Sequence, residues 1–199
     1  HFDTTEVNHA GIYLMGGDNE FAQIASDAGY SKVLNTEPMS MVSVDGVDYT
    51  TPMPLGFSIS SLAEDSNPQK VHRLLYRGFN HGDEPEESCD DGIADREFMQ
   101  SAPNFDPLLN VVAVAPNGDW VSYCGMWYES NGKYGYVEPV ATDPDYRLRG
   151  IGKAVVTEGI RRCKQMGAEV AYVGSTQPVY LSIGFRQVYT LEKWLKRSS

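Results

Sequence analysis

Cysteine is scarce in this 199-residue chain: Cys89, Cys124 and Cys163 are the whole complement, and none are spaced as Cys-x-x-Cys. An odd, scattered set excludes a disulfide framework and favours a reducing compartment, so a cytoplasmic location is expected. The histidines His1, His9, His72 and His81 are scattered too. No His/Cys cluster has the spacing of metal ligands, and no metal is expected. Apolar runs fall short of the roughly 20 residues that span a membrane. No basic start followed by an apolar stretch marks a secretory leader. The chain opens on His1 without an initiator methionine, so a fragment of a longer protein is expected. Basic charge is also short: 16 Lys and Arg against 27 Asp and Glu give a formal net charge of −11. Nucleic-acid binding wants a basic face, and none is expected here. The acidic balance suits a cationic small molecule or peptide as partner, or serves solubility alone.

Against that background one basic segment stands out. Residues 146–153 read Tyr-Arg-Leu-Arg-Gly-Ile-Gly-Lys. They follow a strand pattern, Tyr136–Thr142, and open a helical one. Glycines let main-chain N–H groups approach an anion without a Cβ in the way. A helix starting there turns its positive end to the same place. Arg147-x-x-Gly150-x-Gly152 therefore has the form of a pyrophosphate cradle, with Arg147, Arg149 and Lys153 adding mobile charge.

Along the chain, His9–Met15 has the pattern of a buried strand, Asn19–Ala28 of a helix capped by Asp18 or Asn19, and 30–34 and 39–43 of two further strands. Residues 44–54 have linker chemistry. Phe57–Leu62 alternates like a half-buried strand. A helix begins at Asn67-Pro68, with Val71, Leu74, Leu75 and Phe79 at helical spacing. Residues 83–97 hold eight acidic side chains and the single Arg96, and a second helix is expected over Ala94–Gln100. A meander follows: strand 109–114, turn 116–119, strand 120–128, turn 130–133, strand 134–142. Then come helix 150–166, strand 169–173, helix 178–183 and strand 185–191. The order is that of an α/β (α+β) domain with one mixed sheet.

Val140-Ala-Thr-Asp-Pro-Asp-Tyr-Arg-Leu-Arg-Gly-Ile-Gly-Lys-Ala154 resembles the acetyl-CoA signature of the GNAT superfamily of N-acetyltransferases. Downstream, Tyr180-Leu-Ser-Ile-Gly-Phe185 resembles the superfamily's Tyr-x-x-x-Gly-Phe. The likeness covers roughly residues 56–191 and is carried by both motifs in this order. It implies a GNAT fold, a mixed, mostly antiparallel central sheet flanked by helices, and acetyl transfer from acetyl-CoA to a primary amine by direct attack on the thioester.

The resemblance also implies roles. Amides from Leu148 to Lys153, including Gly150, Ile151 and Gly152, would hold the CoA pyrophosphate. Val140, Ala141 and Thr142 would splay from the neighbouring strand and pair with the pantetheine arm, with an N–H near Ala141 or Thr142 polarising the carbonyl. Tyr180 would protonate the leaving thiolate. Glu138 would take a proton from the amine, directly or through water, or it is a solvated strand residue. The acidic run at 83–97 would edge the acceptor pocket, with Asp90, Asp91 and Asp95 as the attracting charges, or is a solvated loop. Val173 stands where the superfamily often has Asn, so CoA contacts would come from Ser175 or Thr176. That departure keeps a second reading open, a CoA-binding or regulatory module without turnover. A nucleotide site has no Gly-x-x-x-x-Gly-Lys or Gly-x-Gly-x-x-Gly string behind it.

The first fifty residues repeat the strand–helix–strand order of 169–191. Asp18-Asn19…Gly29-Tyr30 resembles the tail of a degenerate GNAT domain, with Ala25 at the Tyr position. The expected division is thus 1–50, a partial first domain plus linker, and 51–199, the catalytic domain. A half domain leaves apolar faces and strand edges to cover, so packing on the second domain or in a homodimer is expected.

Overall fold

The computed structural model describes residues 9–85 and 90–197, with the side chains of His9, Asp90, Asp91 and Arg197 left out. In order, the elements are β1 (His9–Met15), α1 (Asn19–Asp27), β2 (Ser31–Ser43), β3 (Ser58–Ser61), α2 (Pro68–Gly78), α3 (Asp90–Gln100), β4 (Asn110–Val114), β5 (Trp120–Glu129), β6 (Tyr134–Thr142), α4 (Ile151–Gln165), β7 (Val170–Val173), α5 (Pro178–Ile183) and β8 (Arg186–Arg197). The strands form one eight-stranded sheet in the order β1-β8-β2-β7-β6-β5-β4-β3. Every pairing is antiparallel except β6 with β7.

Helices cover both faces, and the period-2 alternation of β4 shows which residue serves which layer. Val111 and Ala113 join Val155, Val156, Ile160 and Cys163 of α4. Val112, between them, joins Val71, Leu74 and Leu75 of α2 on the other side. Local chemistry sets the helix starts. Asn67 Oδ1 accepts from the Lys70 amide at 2.9 Å with Pro68 in the first turn, and Asp18 Oδ1 accepts from the Phe21 amide at 3.1 Å. These caps satisfy donors that a helix leaves without intrahelical partners.

Three expectations are corrected. The segments 30–34 and 39–43 are one strand, β2, which runs through Pro38; pairing irregularities between Lys32 and Thr36 and between Met39 and Ser40 absorb the misfit. β8 does not stop at Leu191 but continues to Arg197, because its second half is held by β1 on one edge and β2 on the other. The second helix starts at Asp90 rather than Ala94. β1 and β2 both pair with β8, and β2 also pairs with β7, so the leading segment shares the sheet with the rest of the chain.

The β5/β6 ladder breaks register between Cys124 and Met126. Gly125 sits at the break, where an added Cβ would lie 2.6 Å from the Glu138 carbonyl oxygen. The atoms it would meet are the Glu138 main chain and the Pro139 ring, which no rotamer change moves aside. Gly125→Ala is expected to cost about 2 kcal/mol by overpacking, and thermal unfolding should show a Tm lower by roughly 4–8 °C.

Candidate active site

β6 pairs with β7 only from Tyr134 to Tyr136, whereas its pairing with β5 continues to Thr142. Beyond Tyr136 the two parallel strands diverge. The wedge between them opens on a cleft of about 790 Å³ whose walls include Val140, Ala141 and Thr142 from β6, Leu148 and Gly150 to Lys153 at the start of α4, and Tyr180 on α5. That volume is within the range of small-molecule sites.

The turn into α4 is shaped by two left-handed residues, Leu148 at φ 60° and Gly150 at φ 80°. Gly150 is the N-cap and offers no side-chain acceptor to the helix. The first helical bond across this end runs from the Ala154 amide to the Gly150 carbonyl, and the amides of residues 148–153 have no backbone partner among the described residues. Six donors are thus left for an anion, at the positive end of a 15-residue helix. Gly152 allows the helix close to β6, since an added Cβ would meet Thr142 Oγ1 at 3.0 Å.

Gly150→Ala tests the turn itself. No atom lies within 4 Å of the added Cβ, but the positive φ remains. A cost of about 1 kcal/mol is expected, and isothermal titration with inorganic pyrophosphate should show weaker anion binding.

Of the ten cradle residues singled out from sequence, all but Arg149 line the cleft. Arg149 lies over the Tyr146 ring, 5.2 Å from its centroid, and donates to the Asp145 carbonyl at 2.8 Å. Arg147 donates to the Thr142 and Gly78 carbonyls at 3.1 and 2.7 Å, and Lys153 to the Ser182 carbonyl at 3.0 Å. Among the described residues none of these three cations forms a salt bridge. Main-chain acceptors hold the charges of Arg147 and Lys153 at the cleft, free for a bound anion, whereas Arg149 is turned away from it.

Tyr180 is 7% exposed, and its ring meets Phe185 edge-on at 5.9 Å. Burial pushes its phenol up to about 12, with Cys124, Glu138 and Tyr136 adding to the rise. It therefore carries its proton throughout the neutral range. Glu138 is not among the cleft-lining residues; it is exposed, and its carbonyl accepts from Trp127 Nε1 at 3.0 Å. Its carboxylate still lies close enough to Tyr136 and Tyr180 to raise both phenols. Cys124 and Cys163 are buried and held as thiols, the latter pushed up to about 12 by burial. Neither can serve as a thiolate nucleophile at neutral pH.

The sequence reading missed the far wall of the cleft. Gly78, Phe79 and Asn80 at the end of α2 face the cradle, as do Gln177, Pro178, Val179 and Ser182 in place of Ser175 or Thr176. It also missed the clamp behind the cradle. Arg77 on α2 donates through Nε and Nη2 to both carboxylate oxygens of Asp143 at 2.6 and 3.1 Å, and through Nη2 to Asp145 at 2.8 Å. Asp143 is 3% exposed. Burial alone would raise its carboxyl, but hydrogen bonds and charge from Arg77, together with the Asp145 amide, hold it below its usual range. Residues 86–89 and the side chains of Asp90 and Asp91 lie outside the described residues, so the acidic edge expected there is only partly placed. Of its described members, Asp83 and Glu84 are paired with Arg77 and Arg73. Among the described residues no His/Cys/Asp/Glu group could hold a metal ion, and no helix is long and apolar enough to cross a membrane.

The sequence profile of the acetyltransferase (GNAT) family matches residues 69–187. The chain belongs to this GNAT acetyltransferase family. Its fold is similar to that of a GCN5-related N-acetyltransferase from Sphaerobacter thermophilus, with 15% identity and a TM-score of 0.71 over 95% of this chain and 59% of that one. The chain thus spans less than two thirds of that protein's length. A tandem GNAT protein from the clavulanic acid biosynthesis pathway aligns with a TM-score of 0.74 at 11% identity, over 96% of this chain and 65% of that one. A GNAT family acetyltransferase from Brucella melitensis, solved in complex with acetyl-CoA, aligns with a TM-score of 0.53 at 15% identity, over 68% of this chain and 86% of that one. No functionally curated protein is significantly similar to the chain. The GNAT profile spans the cradle, the wedge and Tyr180, the parts that enclose the cleft.

Proposed function

We propose that the chain transfers an acetyl group from acetyl-CoA to a primary amine by direct attack on the thioester. The observation that carries this is the convergence of the open amides of Leu148 and Gly150 to Lys153, the diverging β6 edge at Val140–Thr142 and the protonated Tyr180 phenol on one cleft. In that arrangement the amides and the α4 dipole hold the CoA pyrophosphate, with Arg147 and Lys153 as flanking charge. The unpaired edge of β6 takes the pantetheine arm as an added strand would be taken. Ala141 or Thr142 supplies the N–H that stabilises charge on the thioester oxygen. The amine nitrogen attacks the carbonyl carbon, the C–S bond breaks, and the Tyr180 proton goes to the departing sulfur. Glu138, outside the cleft wall but near Tyr180, takes the ammonium proton through water before attack, and the second proton that the nitrogen sheds on becoming an amide restores the Tyr180 phenol.

The leading segment fits the same reading. We propose that residues 1–50 are the C-terminal part of a degenerate first GNAT-like domain, with 51–199 the catalytic one. The observation behind it is the strand–helix–strand order of β1, α1 and β2, repeated by β7, α5 and β8 within one sheet.

The test is a thiol-release assay with acetyl-CoA against a panel of polyamines, aminoglycosides, amino acids and peptide N-termini. Amine-dependent release of CoA thiol is expected with at least one class. A chain that does not bind acetyl-CoA at all would refute the proposal.

A further inference from the structure

A second cavity, of about 380 Å³, lies on the sheet away from the cradle. Its lining is Met39 from β2, Tyr134 and Tyr136 from β6, Tyr172 from β7 and Tyr189 from β8. Strand alternation decides which face this is. Gly135, between the two β6 tyrosines, abuts Cys163 of α4 so closely that an added Cβ would stand 3.1 Å from its Sγ. Ala171 and Val173, either side of Tyr172, are buried in the core that α4 shares. The tyrosines therefore point to the opposite face, where α2 packs farther along the sheet on Val112, Tyr123 and Ala141. The rings are already arranged edge to face: Tyr134 and Tyr172 have centroids 5.7 Å apart at 87°.

The surroundings of the cage are acidic. Tyr136 is raised above its ordinary value by burial first and then by the carboxylates of Glu138 and Glu37. Glu37 stands on the same face of β2 as Met39 and accepts from the Tyr13 hydroxyl at 3.2 Å. Neutral phenols present electron-rich faces, which attract a cation held within about 6 Å of the ring centroid. Two nearby carboxylates on a chain of net charge −11 add the same preference. Position matters as much as chemistry. Tyr136, opposite Tyr172, is the last β6 residue paired with β7, so the cage begins where the wedge closes. From Tyr136, β6 runs on to Val140 and Ala141, which line the first cleft.

We propose that Met39, Tyr134, Tyr136, Tyr172 and Tyr189 form a cation cage that binds a second, non-reacting ammonium group of the acceptor. The substrate class is then a diamine or an amine bearing a quaternary ammonium group. This builds on the acetyl-transfer reading for its reacting end, whereas cation binding in the cage stands independently of it. The leading segment acquires a role as well, since Met39 of β2 is part of the wall.

Two measurements test the cage. Isothermal titration of the chain alone, without acetyl-CoA, compares choline with its uncharged isostere 3,3-dimethylbutan-1-ol. Choline is expected to bind about tenfold more tightly. Tyr172→Ala and Tyr189→Ala should each weaken it about fivefold, and Tyr172→Phe, which keeps the ring face, should stay within about twofold. Equal binding of the alcohol, no binding of choline, or choline binding indifferent to both alanine substitutions would overturn the cage. In the acetyl-transfer assay, 1,6-diaminohexane should exceed n-hexylamine about tenfold in kcat/KM, and Tyr172→Ala should bring the two together. Equal kcat/KM for the two amines in the unsubstituted chain overturns the assignment to the acceptor. Absence of transfer to every amine tried, with choline binding intact, would sink the acetyl-transfer reading and leave the cage standing.

Discussion

Replacing Tyr180 by phenylalanine is expected to lower kcat for acetyl transfer about 10²–10³-fold, the size of a positioned general acid's contribution. The ring is 7% exposed and seated against Phe185, so phenylalanine preserves the packing and removes only the hydroxyl. The cradle amides belong to the turn into α4 and are untouched by the change. Acetyl-CoA affinity by titration should therefore change by about twofold or less, separating loss of chemistry from loss of binding. The pH profile adds a second readout. The phenol is raised from 10.0 to about 12 by burial, so its proton is kept as pH rises through 10. Activity limited by this group should persist on the alkaline side beyond the point where an ordinary tyrosine fails. An unchanged kcat in Tyr180→Phe would remove Tyr180 from the role of general acid.

The second large effect belongs to Arg77. Arg77→Met leaves the Asp143 carboxylate buried and unpaired, which typically costs about 3–5 kcal/mol. For a chain of this size that is a Tm lower by roughly 6–20 °C. The loss should extend to function, because Asp143 and Asp145 flank the turn that leads into the cradle and Arg77 ties that turn to α2. Arg77→Met combined with Asp143→Asn should be less damaging than the sum of the two single changes, since the uncompensated charge is gone. The acid dependence follows from the lowered Asp143 carboxyl. A depressed acid stabilises the fold above its unfolded pKa, near 3.8, and that stabilisation is lost as pH falls through the folded value. Denaturation followed by circular dichroism from pH 6 to pH 2 should show this loss in the unsubstituted chain and less of it in Asp143→Asn.

What the sequence made legible was local. Arg147-x-x-Gly150-x-Gly152 specifies its own turn, because the left-handed residue at 150 and the helix behind it are set by adjacent residues. Tyr180-x-x-x-Gly184 specifies a short helix closed by a left-handed glycine at φ 113°. Long-range pairing was not legible. Arg77 and Asp143 are 66 positions apart, and a buried ion pair leaves no periodic trace. The extension of β8 depends on two partners from the start of the chain, so its own pattern ended too early. The tyrosine cage is drawn from β2, β6, β7 and β8. Only Tyr134 and Tyr136 betray a common face in sequence. Arg149 shows the limit of motif reading, since it has the residue type of an anion ligand but is turned toward Tyr146 and the Asp145 carbonyl.

The most direct test of the acetyl-CoA cradle is an amide-resolved NMR titration of the chain with acetyl-CoA. The account predicts that the backbone amides of residues 148–153 move first and farthest, together with those of Val140 to Thr142, and that this pattern is weakened in Gly150→Ala. Saturable binding of acetyl-CoA that leaves the 148–153 amides unmoved would contradict it.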